Sequence, residues 1–322
     1  MSREYNRKVQ ERLEAYLERE KLSQTRAAKI LGISDSVLSQ YRRSCYDKGD
    51  ITEIEKRLTE YFDIADAKRE NEAKAERFSP VSTANYIPTS ISENVYKTIR
   101  YGQLEKGIIV IDGDAGVGKT KAVAKFLQDN PSTTVYLKAS PATGTLRSLL
   151  KMIARALKAP ENQRTDELAT DLRERLLLSN KTLIIDEAQN LKFSALEEIS
   201  RWTDEDMWTG KPGVGIVLVG NVEVYNRMLG KQEAMFAQQF NRARLHTRCR
   251  TTDVKRSDIE LLFPLLPARG MAEEVSYLLA VSRSKWGIRG AVNVYNNAVN
   301  AEDISIEGLK RMANTMGIRF FQ

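Results

Sequence analysis

An open α/β fold on a parallel sheet, with a small all-α domain ahead of it, is what this sequence of 322 residues predicts. Three observations predict it. Residues 113–120 read GDAGVGKT, set between a short apolar run and a segment of helical spacing. Two further apolar runs, 182–185 and 214–219, end in polar residues at the carboxyl side, where ligands of open α/β sheets collect. The first 64 residues are charged and helical in spacing throughout.

In chain order, the helical head comes first. Residues 23–43 have the layout of a repressor-type helix-turn-helix. Ser23 is a helix cap, Ala27, Ile30 and Leu31 form the apolar face behind it, Gly32 supplies the turn, and Ser34 caps a second helix locked down by Val37 and Leu38. On the outer side Ser36, Ser39, Gln40 and Arg43 suit contacts to base edges and phosphates in a major groove. A small helical protein-interaction module fits the same pattern. A further amphipathic helix over 52–61 completes the bundle. The charged segment 66–77, then Ser79-Pro80 and an extended stretch to Pro88, read as helix tail and linker.

The run Gly107-Ile108-Ile109-Val110-Ile111-Asp112 is a buried strand, and the loop after it is a complete Gly-x-x-x-x-Gly-Lys-Thr phosphate-binding loop. Gly113, Gly116 and Gly118 let backbone N–H groups wrap phosphates, Asp114, Ala115 and Val117 fill the loop between them, and the helix opening through Lys121 adds a dipole favourable to anions. Lys119 is placed for the β- and γ-phosphates and the Thr120 hydroxyl for Mg²⁺, so ATP with Mg²⁺ is the expected cofactor pair. Residues 181–187, KTLIIDE, form a Walker B strand: Asp186 serves the Mg²⁺ shell and Glu187 polarises the attacking water. The strand 214–219 ends at Gly220-Asn221, where Asn221 reads either as a sensor of the γ-phosphate or as a turn-forming residue.

GDAGVGKT, LIIDEAQ and LVGN together resemble the AAA+ class of ATPases. That resemblance implies a five-stranded parallel core followed by a small helical lid. Residues 133–138 then supply the second strand and 244–247 the last, while 258–266, 272–282 and 290–300 supply lid helices. It also implies two arginines. Arg289, in Trp286-Gly287-Ile288-Arg289-Gly290, takes the sensor 2 position, with a plain surface cation as the competing reading. Arg242 is the expected arginine finger, completing the catalytic set of Glu187, Asn221, Arg242 and Arg289, with Arg244 as its rival. A finger acting across a subunit boundary makes hydrolysis depend on assembly.

The expected domains are 1–64 helix-turn-helix, 65–88 helix tail and linker, 89–252 ATPase core and 253–322 lid. Two cysteines, Cys45 and Cys249, lie far apart in sequence, and with no apolar stretch of membrane-spanning length and no signal-peptide pattern the expectation is a cytoplasmic protein without a membrane partner. A single histidine, His246, argues against histidine-based catalysis. The formal charge of +7 points to a polyanionic partner.

A helical DNA-binding head, a linker, a core with Asp-Glu-Ala-Gln after the Walker B strand and a short lid resemble, in that order, the phage Mu transposition protein B family, relatives of IstB and TnsC. The family implies ATP-bound subunits assembled as a helical filament on double-stranded DNA. That filament marks the target, stimulates the transposase and comes apart on hydrolysis. It also implies that residues after the second strand grip DNA, here Thr143, Thr145, Arg147 and Lys151, although a helix cap and a solvated helix face account for the same residues. Two other readings share the core: a helix-turn-helix transcription regulator with a nucleotide switch, and a helicase loader of the DnaC type.

Overall fold

The computed structural model describes residues 5–319 apart from 48, 79, 83, 84, 208, 209 and 225–242, with the side chains of 71–77 also left aside. The chain divides into two compact units, 1–78 and 79–322.

The first unit is a helical bundle: α1 (Arg7–Glu20), α2 (Gln24–Ile30), α3 (Asp35–Arg42) and α4 (Ile51–Phe78). The hydroxyl of Ser23 accepts the Arg26 N–H at 3.4 Å, and that of Ser34 accepts the Val37 N–H at 3.3 Å, so both expected caps form. Gly32 turns the chain between α2 and α3 at φ +67°, in the left-handed region open to glycine. Leu13, Leu38, Tyr41, Leu58 and Phe62 pack the centre, and Arg42 grips Glu14 through two 2.6 Å hydrogen bonds that hold α3 to α1.

One expected core position is corrected. Ile30 is 43% exposed, and Ala28 is buried in its stead. At about 100° per residue, a stripe through 27, 28 and 31 leaves position 30 on the flank of the helix. Residues 51–78 also form one continuous helix, which absorbs both the amphipathic segment and its charged tail.

The second unit is built on a five-stranded sheet in the order β2-β3-β4-β1-β5. Its strands are β1 (Gly107–Gly113), β2 (Thr134–Lys138), β3 (Thr182–Asp186), β4 (Gly215–Val219) and β5 (Ala243–Cys249), and every pairing is parallel. β1, β3 and β4 are buried along their whole length, as expected of strands covered on both faces. Helices α5 (Ser90–Glu105), α6 (Lys119–Asp129), α7 (Leu146–Leu157), α8 (Thr165–Leu178) and α9 (Phe193–Arg201) accompany the sheet, with Leu149, Ile153, Leu172 and Leu196 in the shared core. The five-stranded parallel core and helical C-terminal part are as the sequence led us to expect. β5 runs on to Cys249 because Asp112 and Gly113 still find partners in Arg248 and Cys249.

The C-terminal helices are α10 (Arg256–Leu262), α11 (Leu265–Ala268), α12 (Ala272–Arg283), α13 (Gly287–Asn300) and α14 (Ile306–Thr315). Buried Asp258 on α10 ties them to the core: its carboxylate accepts the Ser90 N–H and Oγ–H, both at 2.6 Å, at the start of α5.

Candidate functional site

β1 delivers the phosphate loop to the carboxyl edge of the sheet. Gly113, Gly116 and Gly118 have φ of +132°, +75° and +101°. A Cβ on Gly113 would lie 1.9 Å from the Cys249 carbonyl oxygen, so only glycine lets the loop leave β1 against β5. The loop is held from that strand as well: the Cys249 carbonyl accepts the Asp114 N–H at 2.8 Å, and the Asp114 carboxylate accepts the N–H and hydroxyl of Thr251 at 2.7 and 3.1 Å. Asp114 is thus spent on shaping the loop. Val117 is wholly buried beneath it.

The Lys119 ammonium donates to the carbonyls of Gly113 and Asp114 at 2.9 and 2.6 Å. Burial lowers its pKa, against the pull of Asp114 and Asp186 nearby. A half-buried cation resting on backbone carbonyls is ready to exchange them for phosphate oxygens. Thr120 Oγ donates to Asp186 Oδ2 at 3.2 Å, which joins the phosphate-loop helix to the Walker B strand. These oxygens suit Mg²⁺, a hard cation bound through one or two protein oxygens plus phosphate and water. Among the described residues no cluster of three or more His, Cys, Asp or Glu competes as a metal site.

Glu187 follows Asp186 at φ +55°, a left-handed conformation that costs a non-glycine residue about 1–3 kcal/mol and gathers at functional sites. Its N–H donates to Asp186 Oδ1 at 2.9 Å, and its carboxylate accepts from the Gln189 amide at 2.5 Å. The other end of that amide, Gln189 Oε1, accepts the Asn221 N–H at 3.3 Å. Gln189 therefore spans the tips of β3 and β4. Gly220 makes room for it, since a Cβ there would lie 2.3 Å from Gln189 Oε1. Asn221 lines the cavity, and its Oδ1 accepts the Glu223 N–H at 2.9 Å. The turn-forming role is thus taken by the oxygen end of the side chain.

From the neighbouring strand the Tyr136 hydroxyl donates to Asp186 Oδ2 at 3.3 Å. Burial first, then the Asp186 charge, push its pKa up to about 12, so it remains a donor. The sequence placed Gln189 in the Asp-Glu-Ala-Gln motif and Tyr136 in the second strand but assigned neither a role. β2–β3 pairing, with Lys138 opposite Asp186, is what brings Tyr136 to this edge.

Lys119, Thr120, Asp186, Glu187 and Asn221 line one cavity of about 560 Å³, with Tyr136 and Gln189 behind them. Its second wall comes from α10, α13 and the segment preceding α5: Ile87, Leu262, Ile288 and Val292 give an apolar end, with Asn85 and Asn293 as polar groups, a composition suited to a nucleobase. Arg289 lines it too, and the Arg289 N–H donates to the Gly116 carbonyl at 3.0 Å, so the lid helix rests on the phosphate loop. Lys121 is exposed at the rim.

Of the other candidate arginines, Arg244 does not line this cavity. Arg242 lies outside the described residues. Arg244 sits at the opposite end of the sheet, where its guanidinium donates to the Glu105 carbonyl at 2.7 Å. The lone histidine, His246, faces buried Asp112 at 3.1 Å, with Arg248 at 3.6 Å from the same oxygen.

Of the residues expected to touch DNA, Ser36 and Arg43 are exposed on or beside α3, and Ser39 and Gln40 are half-buried. Ser36 Oγ lies 3.1 Å from Ser34 Oγ. After β2, Thr143 closes a turn on Ser140, and Thr145 caps α7 by accepting the Ser148 N–H at 3.3 Å. The Arg147 guanidinium folds back on the Glu161 carbonyl at 3.4 Å. Lys151 is half-buried on the same helix.

Residues 103–228 match the AAA domain family. Over 287 residues the chain is 27% identical to the Mu-like prophage FluMu DNA transposition protein B of Haemophilus influenzae, covering 88% of this chain and 94% of that one. It is 23% identical over 303 residues to the ATP-dependent target DNA activator B of Escherichia phage Mu, covering 94% and 90%. Among solved structures, Cdc6p from Pyrobaculum aerophilum superposes with a TM-score of 0.53 at 17% identity, over 73% of this chain and 70% of that one. The Aeropyrum pernix ORC2 protein gives 0.53 at 15%, over 75% and 72%. At those identities the two structures speak for the fold.

Proposed function

The chain carries an AAA domain and is a homologue of the Mu-type transposition protein B and target DNA activator B, and from that kinship we propose that it is an ATPase of DNA transposition which holds target duplex DNA while ATP is bound. The observation that carries this reading is the meeting of Lys119, Thr120, Asp186 and Glu187 at the edge of one cavity, on a chain aligned to those relatives over most of its length. Under it, ATP-bound subunits form a helical filament on DNA, mark the target, stimulate the transposase and leave after hydrolysis. The protein works in the cytoplasm of a bacterial or phage-infected cell. Among the described residues no helix is long and apolar enough to cross a membrane.

The cavity geometry supports the nucleotide roles, and the resemblance to the AAA+ class supports the arginine roles. The loop amides and Lys119 bind the phosphates. Thr120 and Asp186 are the residues that would hold Mg²⁺, which when bound neutralises charge on the transferred phosphoryl group. Glu187 takes the proton of the attacking water, held in place by Gln189. Asn221, through its amide end, and Arg289, both lining the cavity, would serve the γ-phosphate, and Arg242 would act on the site of a neighbouring subunit. The head contacts DNA through Ser36, Ser39, Gln40 and Arg43. In the core, Lys151 is better placed for phosphates than Arg147, whose guanidinium is turned inward, while Thr143 and Thr145 shape the loop that presents them.

Glu187→Gln is the test. It should bind ATP as the wild type does and remain on random-sequence duplex DNA in long assemblies, seen by negative-stain imaging, while Lys119→Ala should show no ATP-dependent DNA binding. Rapid disassembly of Glu187→Gln in ATP, or filaments of Lys119→Ala, would refute the coupling. Binding through phosphates should also weaken steeply with salt, whereas a regulator reading an operator would keep its preference for one sequence.

A further inference from the structure

The end of the sheet away from the phosphate loop carries a second cavity, of about 290 Å³. The order β3-β4-β1 brings three connections side by side there: Lys106 before β1, residues 179–181 before β3 and 202–214 before β4. Lys106, Arg173, Lys181 and Lys211 line the cavity against two carboxylates, Asp204 and Asp206, with Leu176 and Leu177 as an apolar wall.

Two of these cations are held at a cost. Lys106 has φ +59° and ψ −171°, a conformation that favours glycine, and burial lowers the pKa of its ammonium. Arg173 Nε is buried without a hydrogen-bond partner among the described residues, and its Nη2 reaches only the Asp204 carbonyl at 3.5 Å. A buried guanidinium N–H left unpaired is costly. An anionic group in the cavity these residues line would offset the desolvation of Lys106 and balance the Arg173 charge.

The surroundings are apolar. Leu104 on the last turn of α5 is 63% exposed, Leu178 at the end of α8 is 80% exposed, and Met207 before β4 is 97% exposed. Exposed side chains of this size scattered singly need no explanation, but each of these lies within two residues of a lining residue in the chain, Leu104 two before Lys106, Leu178 after Leu177 and Met207 after Asp206, which puts apolar side chains next to the cationic cavity. Duplex DNA is a poor fit, because phosphate-binding surfaces are open and cationic, whereas this one is concave, leucine-rimmed and bears two carboxylates.

We propose that this end of the ATPase unit docks an acidic, leucine-bearing peptide segment of a partner protein, with one carboxylate between Lys106, Arg173 and Lys181 and apolar side chains over Leu104, Leu178 and Met207. The site is separate from the nucleotide cavity and stands whether or not the proposed DNA filament does.

The test uses the full chain and fluorescence anisotropy with a short labelled peptide alternating Asp and Leu, beside an Asn–Leu counterpart of equal length. Wild type should prefer the Asp–Leu peptide by about tenfold or more, and Lys181→Glu and Leu178→Asp should each weaken it about tenfold with ATP turnover unchanged. Leu178 is exposed enough for its variant to fold, and that variant reports on the apolar rim independently of the charge. Equal binding of both peptides, or unchanged affinity in the two variants, would overturn the proposal. So would parallel losses of peptide and duplex DNA binding in both variants, which would make this a phosphate surface.

Discussion

Gly287→Ala should uncouple the lid from the phosphate loop, and the size of the effect can be worked from two separable costs. Gly287 has φ +63°, which an alanine adopts at about 1–2 kcal/mol. Its Cβ would also lie 2.7 Å from the Ala115 carbonyl oxygen, where ordinary contact begins at 3.4 Å, a shortfall of about 0.7 Å that only a shift of α13 or of the loop can relieve. That shift breaks the Arg289 N–H to Gly116 bond, worth about 0.5–1.5 kcal/mol, and moves Arg289 within the nucleotide cavity. Gly317→Ala is the matched control, with φ +69° and nothing within 4 Å of the added atom. At about 2–4 °C per kcal/mol, Gly317→Ala should lower Tm by a few degrees and leave catalysis alone. Gly287→Ala should lower Tm further and reduce kcat/KM for ATP by about tenfold or more, since displacements below 1 Å at a reacting centre are amplified. Thermal unfolding and steady-state ATP hydrolysis measure both. Equal Tm losses and wild-type kcat/KM in the two variants would show that the contact between Gly287 and the phosphate loop contributes nothing.

Gln189→Ala should lower kcat about tenfold while ATP affinity, by titration with a fluorescent analogue, stays within about twofold, because it frees the Glu187 carboxylate without touching the phosphate loop. An equal loss of affinity would show that Gln189 serves binding. In the head, Ile30→Ser should change unfolding free energy by less than about 0.5 kcal/mol, whereas Leu38→Ala should cost about 2–5 kcal/mol. A large loss in Ile30→Ser by denaturant titration would restore Ile30 to the core.

What the sequence disclosed and what it withheld divide along the range of the interaction. GDAGVGKT, the caps at Ser23 and Ser34 and the strand ending in Asp186-Glu187 are local: each needs only a few consecutive residues, so residue type and spacing suffice to read them. Tyr136 sits in an ordinary strand and Gln189 closes a motif, and neither position alone names a partner. They acquire a role because β2 pairs with β3 and β3 with β4, which sets the Tyr136 hydroxyl on Asp186 and lets one amide reach both Glu187 and Asn221. Ile30 failed for a related reason, since hydrophobicity marks a helix face only to within about one residue and the neighbouring helices decide which flank is covered.

The same distinction bears on how nucleotide state could reach the rest of the unit. The phosphate loop is fastened on two sides: to β5 through Asp114, Cys249 and Thr251, and to α13 through Gly116 and Arg289. On the β5 side three hydrogen bonds and a glycine-only approach leave no slack, so that side is a fixed reference. On the α13 side one backbone hydrogen bond and the Gly287 contact join the loop to the lid, while Asp258 anchors the lid helices to the core separately, so the loop contact is the weaker of the two attachments. α13 takes other structure with it. Asn296, near its C-terminal end, both donates to and accepts from the backbone of Val81, at 3.0 and 2.9 Å, just after the boundary at residue 78. Any displacement of α13 must therefore stretch or carry that segment, which couples the helix resting on the phosphate loop to the start of the ATPase unit.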